Sequence, residues 1–309
     1  MNALRRATGL ALVLTYALIV LGAWVRATGS GLACPDWPTC YGHWVPLPGE
    51  IPVDAGYAYY QVMLEWLHRL LAGAILGPLI LVIGWLAWRA RGRNPRMPAY
   101  ATALVLLLLI QAGLGGVTVL DQNSPWSVAL HLTAALLLFS ALWLIYARTA
   151  PASARPTASV GPQSVALWLL ALGAMASAAM TTKSGASLAC STWPLCDGAL
   201  IPDLSDPAVR LNFSHRLLAF GVGLGALALY VSCRGRADVG RLSTLILLLA
   251  LAEVALGALL VLWQVPLATA IMHQALGVAT FGAISLLMWR VNAPVSDPQA
   301  VHVRSLSRA

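Results

Sequence analysis

Eight apolar runs, each about the length of a bilayer crossing, limit what this chain can fold into. They lie at roughly 8–26, 62–88, 99–120, 127–147, 163–183, 210–232, 241–263 and 267–289. A helix needs about 20 residues to cross the hydrocarbon core, and backbone amides in lipid must be satisfied within the segment. None of the runs alternates as a barrel strand does. An all-α integral membrane protein with eight transmembrane helices is therefore expected. Hydrophobic residues make up 59% of the chain and charged ones 10%, which excludes an ordinary soluble domain.

The basic residues orient these helices. Fourteen arginines, from Arg5 and Arg6 to Arg304 and Arg308, fall on one side of an eight-span arrangement. Arg26, Lys183 and Arg210 fall on the other, with Arg69 and Arg216 just inside it. Basic loops stay cytoplasmic, so both termini are expected in the cytoplasm of a multi-pass cell-membrane protein. The net charge of +8 is then a topology signal and not a nucleic-acid footprint. Arg5 and Arg6 before an apolar run suggest a signal peptide, but no convincing cleavage site follows, and an uncleaved first span is expected.

The chain also repeats itself. Leu32-Ala33-Cys34, Trp37-Pro38 and Cys40 return as Leu188-Ala189-Cys190, Trp193-Pro194 and Cys196. His68-Arg69 returns as His215-Arg216, and His131 as His273. The copies are 156, 147 and 142 residues apart at Cys34, His68 and His131, a drift that unequal loops produce. Four spans per half put both halves the same way up, so two four-helix bundles related by a parallel pseudo-two-fold repeat are expected. The halves are 1–147 and 163–292, joined by a Pro/Ala/Ser-rich cytoplasmic linker at 148–162 and followed by a cytoplasmic tail at 293–309. Gln111–Leu120 in span 3 matches Glu253–Leu262 in span 7, with small residues suited to close helix contact.

Both cysteine pairs fall in the outer loops, 27–61 and 184–209, where an oxidising compartment permits disulfides. Five intervening residues allow the alpha carbons to approach bonding range, which predicts Cys34–Cys40 and Cys190–Cys196 bridges. Zinc is the alternative for cysteine-rich loops, but no local pair of histidines accompanies either pair. Cys233 reads as a reduced core thiol. The aromatic-rich first loop, with Trp37, His43 and Trp44, reads as interfacial content or as a lid.

Histidines inside spans default to functional hypotheses. His68, His131, His215 and His273 each sit roughly 6–10 Å below the outer end of a helix, at 1.5 Å per residue. Two imidazoles at one depth on two helices of a four-helix unit can grip a porphyrin by both axial positions. One haem per half is therefore expected, with Arg69 and Arg216 near its propionates. A helix-to-helix hydrogen bond is the simpler role for a single such histidine, and headgroup contact for either arginine. The halves differ at one point: Glu65 lies three residues before His68, where Asn212 precedes His215. A carboxylate on the haem-facing side can exchange protons with a reacting group, so the N-terminal half reads as reactive and the other as an electron-transfer partner. The alternative is a structural Glu65 paired with Arg69 at i, i+4. Glu253, a buried acid opposite Gln111, has no assigned role.

The four-plus-four spans, Glu65-x-x-His68, His215-Arg216, His131, His273 and the paired outer cysteines together resemble haem A synthase, the bacterial and mitochondrial family that serves cytochrome oxidase assembly. The resemblance covers nearly the whole chain up to the tail. It implies oxidation of the C8 methyl of haem O to a formyl group, giving haem A by a membrane oxidoreductase. It further implies that His68 and His131, with Arg69, hold the substrate haem and that Glu65 acts at the methyl. By the same resemblance His215 and His273, with Arg216, hold a haem b cofactor. Cys34 and Cys40 correspond to an outer-loop pair implicated in activity, whereas Cys190 and Cys196 are structural. A haem O synthase, a membrane farnesyltransferase, is the implied supplier and partner, and a homo-oligomer is possible. Two rival classes stand beside this reading: a dihaem b-type cytochrome exchanging electrons with quinone, and a haem transporter.

Overall fold

The computed structural model describes residues 1–149, 160–237 and 239–292. Most of the expected linker and the whole expected tail lie outside the described residues. The chain is all-helical there, with eight helical runs long and apolar enough to cross a membrane. These are α1 (Asn2–Ala27), α2 (Tyr59–Leu70) continuing into α3 (Gly77–Arg89), α4 (Met97–Leu120), α5 (Pro125–Arg148), α6 (Gly161–Lys183), α7 (Pro207–Cys233), α8 (Gly240–Leu262) and α9 (Leu267–Val291). Apolar side chains such as Val13, Leu81, Leu109 and Leu248 face outward, as a lipid-facing surface requires. The chain is a multi-pass membrane protein.

Most helices begin two to six residues before the apolar runs did. Their first turns carry polar or proline residues that a hydropathy window discards, although Pro125, Pro162 and Pro207 in the first two positions suit helix starts. Ser124 and Asp206 cap α5 and α7 through Ser127 N–H and Ala208 N–H. Arg148 closes α5 and Gly161 opens α6, so both ends of the expected linker belong to helices.

Span 2 departs from a uniform helix. Between α2 and α3 the chain makes a π turn over Leu71–Leu76, with Gly77 N–H bonded back to Ala72 O. Pro78 gives the reason. It has no N–H to offer the preceding turn and its ring clashes there, and a widened turn absorbs the mismatch. The small residues Ala72, Gly73 and Ala74 in this turn form part of a cavity wall.

Each half closes as a ring of four spans: α1, α2–α3, α4 and α5 in the first, and α6 to α9 in the second. The rings meet through α1 on α9, α5 on α6, and α5 on α9. α5 and α9 are the most buried spans and α4 the least. The joint core holds Leu136, Leu142, Ile145, Phe281 and Ile284, all at most 1% exposed. Polar bonds cross the joint as well: Tyr16 Oη to Ala275 O at 3.2 Å, Arg148 Nη1 to Trp289 O at 2.7 Å, and Trp289 Nε1 to Ser140 Oγ at 2.9 Å.

Small residues set how closely these helices approach. A Cβ on Gly282 of α9 would stand 2.9 Å from Phe139 Cε1 and 3.1 Å from Trp143 Nε1 of α5. Gly282→Leu therefore should force the halves apart and cost about 1–3 kcal/mol. Thermal unfolding in detergent should register this as a clearly lowered midpoint, and an unchanged midpoint would show that the joint tolerates separation.

Candidate functional site

The four histidines lie six to nine residues after the starts of α2, α5, α7 and α9, at Tyr59, Pro125, Pro207 and Leu267. At 1.5 Å per residue that is roughly 9–14 Å from the loop-bearing ends, deeper than the apolar runs alone indicated because the helices start earlier. His68 and His131 line one cavity of about 870 Å³. His215 and His273 line a second of about 190 Å³. Each expected pair is thus brought together by its own ring of spans.

The rings are seated against glycines. A Cβ on Gly22 would lie 3.1 Å from His68 Cε1, one on Gly115 would lie 3.3 Å from His131 Cε1, and one on Gly257 would lie 3.1 Å from His273 Cε1. Gly115 and Gly257 occupy matching places in the repeated stretches of spans 3 and 7, so the signal was present in the sequence. Four residues earlier in those stretches, Gln111 Nε2 lies 3.3 Å from His131 Nε2 and Glu253 Oε1 lies 3.2 Å from His273 Nδ1. The acid without a role is therefore the neighbour of a histidine.

The two pairs differ in how they are held. His215 Nδ1 stands 3.1 Å from Ala174 O and 3.1 Å from Ser177 Oγ. A carbonyl only accepts, so Nδ1 carries the proton and Nε2 keeps a free lone pair. His273 Nδ1 faces Glu253 to the same effect, close in distance but off the angle of a full hydrogen bond. In the other cavity, His68 Nδ1 and His131 Nδ1 are buried with no partner among the described residues. In the second pair each Nδ1 has an acceptor within 3.2 Å, whereas in the first pair neither does, and His131 meets Gln111 at Nε2 instead.

Over each cavity lies a disulfide loop, and both expected bridges form: Cys34–Cys40 and Cys190–Cys196, with alpha carbons 4.7 and 4.6 Å apart. Spans 1 and 5 enter these loops through Gly29 and Gly185, both at φ 68°, a left-handed turn that glycine makes without steric cost. Backbone pairs Cys40–His43 and Cys196–Ala199 close the loops. Trp37, Pro38, His43 and Trp44 reach the wall of the larger cavity, whereas Ser187 and Trp193 reach the smaller. Burial opposes ionisation of Asp36, but the Thr39 hydroxyl and the Gly42 and Tyr41 N–H groups outweigh it and hold that carboxyl below the usual range.

Arg69 and Arg216 line the cavities, but most of their donors go to these loops. Arg69 donates to Glu65 Oε1 at 2.9 Å, Thr39 O at 2.8 Å, Cys34 O at 2.9 Å, and Asp36 O. Arg216 donates to Thr192 O at 2.8 Å, Leu195 O at 3.3 Å and Cys190 O at 2.6 Å. Glu65 is thus both a cavity residue and an ion-pair partner, as the structural alternative had it. Its counterpart Asn212 donates instead to Ala186 O and Ser187 O, at 2.8 and 2.9 Å.

Replacing Arg69 by Met should leave Glu65 and three loop carbonyls unpartnered, at a cost of about 3–5 kcal/mol. Faster hydrogen exchange and proteolysis across residues 34–44 would report it, and wild-type protection would show that the disulfide alone holds the loop.

The chain is 29% identical to a haem A synthase from Shewanella oneidensis, over 92% of this chain and 96% of the relative. It is 34% identical to one from Symbiobacterium thermophilum, over 92% and 94%. It is 29% identical to one from Mesorhizobium japonicum, over 95% and 92%. The family model described as cytochrome oxidase assembly protein, COX15-CtaA, matches residues 5–285. With the model spanning both cavities and both loops, the chain belongs to the cytochrome oxidase assembly protein family.

Proposed function

We propose that this protein is a haem A synthase, oxidising the C8 methyl of haem O to a formyl group. The observation that carries the reading is the larger cavity, which has two imidazoles, each with an Nδ1 unpartnered among the described residues, and a carboxylate in one wall. Its volume of about 870 Å³ lies within the usual range for ligand sites, and its small-residue π turn beside Leu81 and Leu109 gives an apolar flank for a prenyl tail.

His68 and His131 hold the substrate iron from opposite faces and so fix which methyl meets the protein. Going from methyl to formyl replaces two C–H bonds by C=O: written with water as the oxygen donor, R–CH3 and H2O give R–CHO, four protons and four electrons, the electrons passing to an external one-electron acceptor. Glu65, one helical turn before His68, accepts a proton there, and Arg69 keeps it oriented. Trp37 and Trp44 restrict water. Weaker anchoring suits a ligand that must arrive as one haem and leave as another.

The smaller site fits a resident haem b by its donor set. His215 and His273 present free Nε2 lone pairs, braced at Nδ1 by a backbone carbonyl and a carboxylate, the arrangement that orients metal-binding imidazoles. Met175, packed with Glu253 over Gly277, has the flexible side chain whose rotation enlarges the space. When bound, haem b supplies one-electron transfer. The N-terminal half, 1–147, is the catalytic one and 163–292 the electron-transfer one, in a parallel pseudo-two-fold pair. Both termini are cytoplasmic and the haem sites lie toward the outer face. Haem O arrives from a partner haem O synthase in the same membrane. The unequal bracing of the two pairs disfavours a cytochrome with two permanent haems.

Co-expression with a haem O synthase tests this. Extracted pigment should contain haem A from the wild type and accumulated haem O from Glu65→Gln, where the amide still accepts from Arg69. Unchanged haem A in that variant would remove Glu65 from the chemistry. His215→Ala or His273→Ala should deplete the b-type spectrum, and full retention would refute the cofactor assignment.

A further inference from the structure

The wall between the two cavities contains a charge that the proposed chemistry does not use. Arg26, in the last turn of α1, lines both cavities. Its one side-chain hydrogen bond among the described residues runs across the joint between the halves, from Nη2 to Gln274 Oε1 at 2.6 Å. Lys183, the last residue of α6, is half-buried and lines the same larger cavity as Arg26. Its ammonium makes no hydrogen bond or ion pair among the described residues. The acids of the two cavities are committed elsewhere: Glu65 to Arg69 and Glu253 to His273.

A largely buried cation such as Arg26 without a counter-charge is costly inside a membrane protein, where such groups pair with anions or carbonyls, and the half-buried Lys183 adds a second positive charge to the same cavity. A helix C-terminus offers each of them only a partial negative charge. Extension to lipid headgroups does not describe Arg26, whose guanidinium turns inward to α9. What satisfies the pair is a ligand with two carboxylates on one edge.

We propose that Arg26 and Lys183 bind the two propionates of the porphyrin in the larger cavity, an inference that rests on reading that cavity as the haem O site. The guanidinium matches a carboxylate fork, and the ammonium serves the second as a point charge. Arg69 and Arg216, the arginines expected near propionates, are held by their loops, with four and three donors already engaged. The carboxylate edge then lies at the wall the two cavities share, beside Gln274, which follows His273 in sequence.

The test uses full-length protein purified with its resident haem from cells that make no haem O. Haem O and its dimethyl ester are titrated in detergent and followed in the Soret band. Wild type should prefer the free acid by about a hundredfold, since a hydrogen bond to a charged group is worth roughly tenfold or more. Arg26→Gln and Lys183→Gln should each lose about tenfold in free-acid affinity while binding the ester as before. Arg26→Lys should keep most of the preference. It decides the matter if the glutamine variant also loses ester binding: preference kept supports the assignment, and preference lost overturns it. Glutamine variants that retain the wild-type preference would overturn it too. Wild type that binds neither form would instead remove the haem reading of the cavity.

Discussion

Burying an imidazole within a membrane leaves two ring nitrogens to be satisfied without water, and this constraint organises the molecule. A polar atom left bare in that setting is expensive. In the second half Ala174 O and Ser177 meet that cost at His215, and the Glu253 carboxylate stands 3.2 Å from His273 Nδ1. In the first half, His68 and His131 each keep a bare Nδ1 beside a large cavity. The same duplicated frame thus yields one pair of rings fixed in advance and one pair that is not. A permanent cofactor suits the first kind of site, and a passing substrate the second.

The loops extend this division. Each is closed by a disulfide and pinned by an arginine that follows a histidine in sequence, so loop and histidine are tied to one helical turn. In the first half the pinning arginine also takes Glu65. Where Glu65 stands, the second half has Asn212, which seals the loop's 3-10 turn instead. One acid-for-amide exchange converts a structural contact into a carboxylate on a cavity wall. The π turn enforced by Pro78 adds small residues to that wall and has no counterpart among the described residues of α7.

Much of this was legible in the chain itself. Eight spans, two halves, two disulfides and two histidine pairs follow from apolar length, repeated motifs and cysteine spacing. Those signals survive because lipid permits few alternatives to a helix and because duplication preserves spacing. Helix starts were read too late, since capping residues and first-turn prolines are polar or neutral to a hydropathy window. The arginines after the histidines are expected near propionates from their position and their fit to a carboxylate, but which loop carbonyls surround each guanidinium is not written in its neighbours in sequence.

By itself, then, the sequence determined the eight-span helical architecture and which histidines pair, because bilayer thickness and a repeated motif are one-dimensional facts. Only the tertiary structure decided which imidazoles are braced, which cations are left without partners and how much space each half encloses. Those depend on contacts between residues such as Arg26 and Gln274, 248 positions apart, and a hydrogen bond has an energy only where its two ends meet.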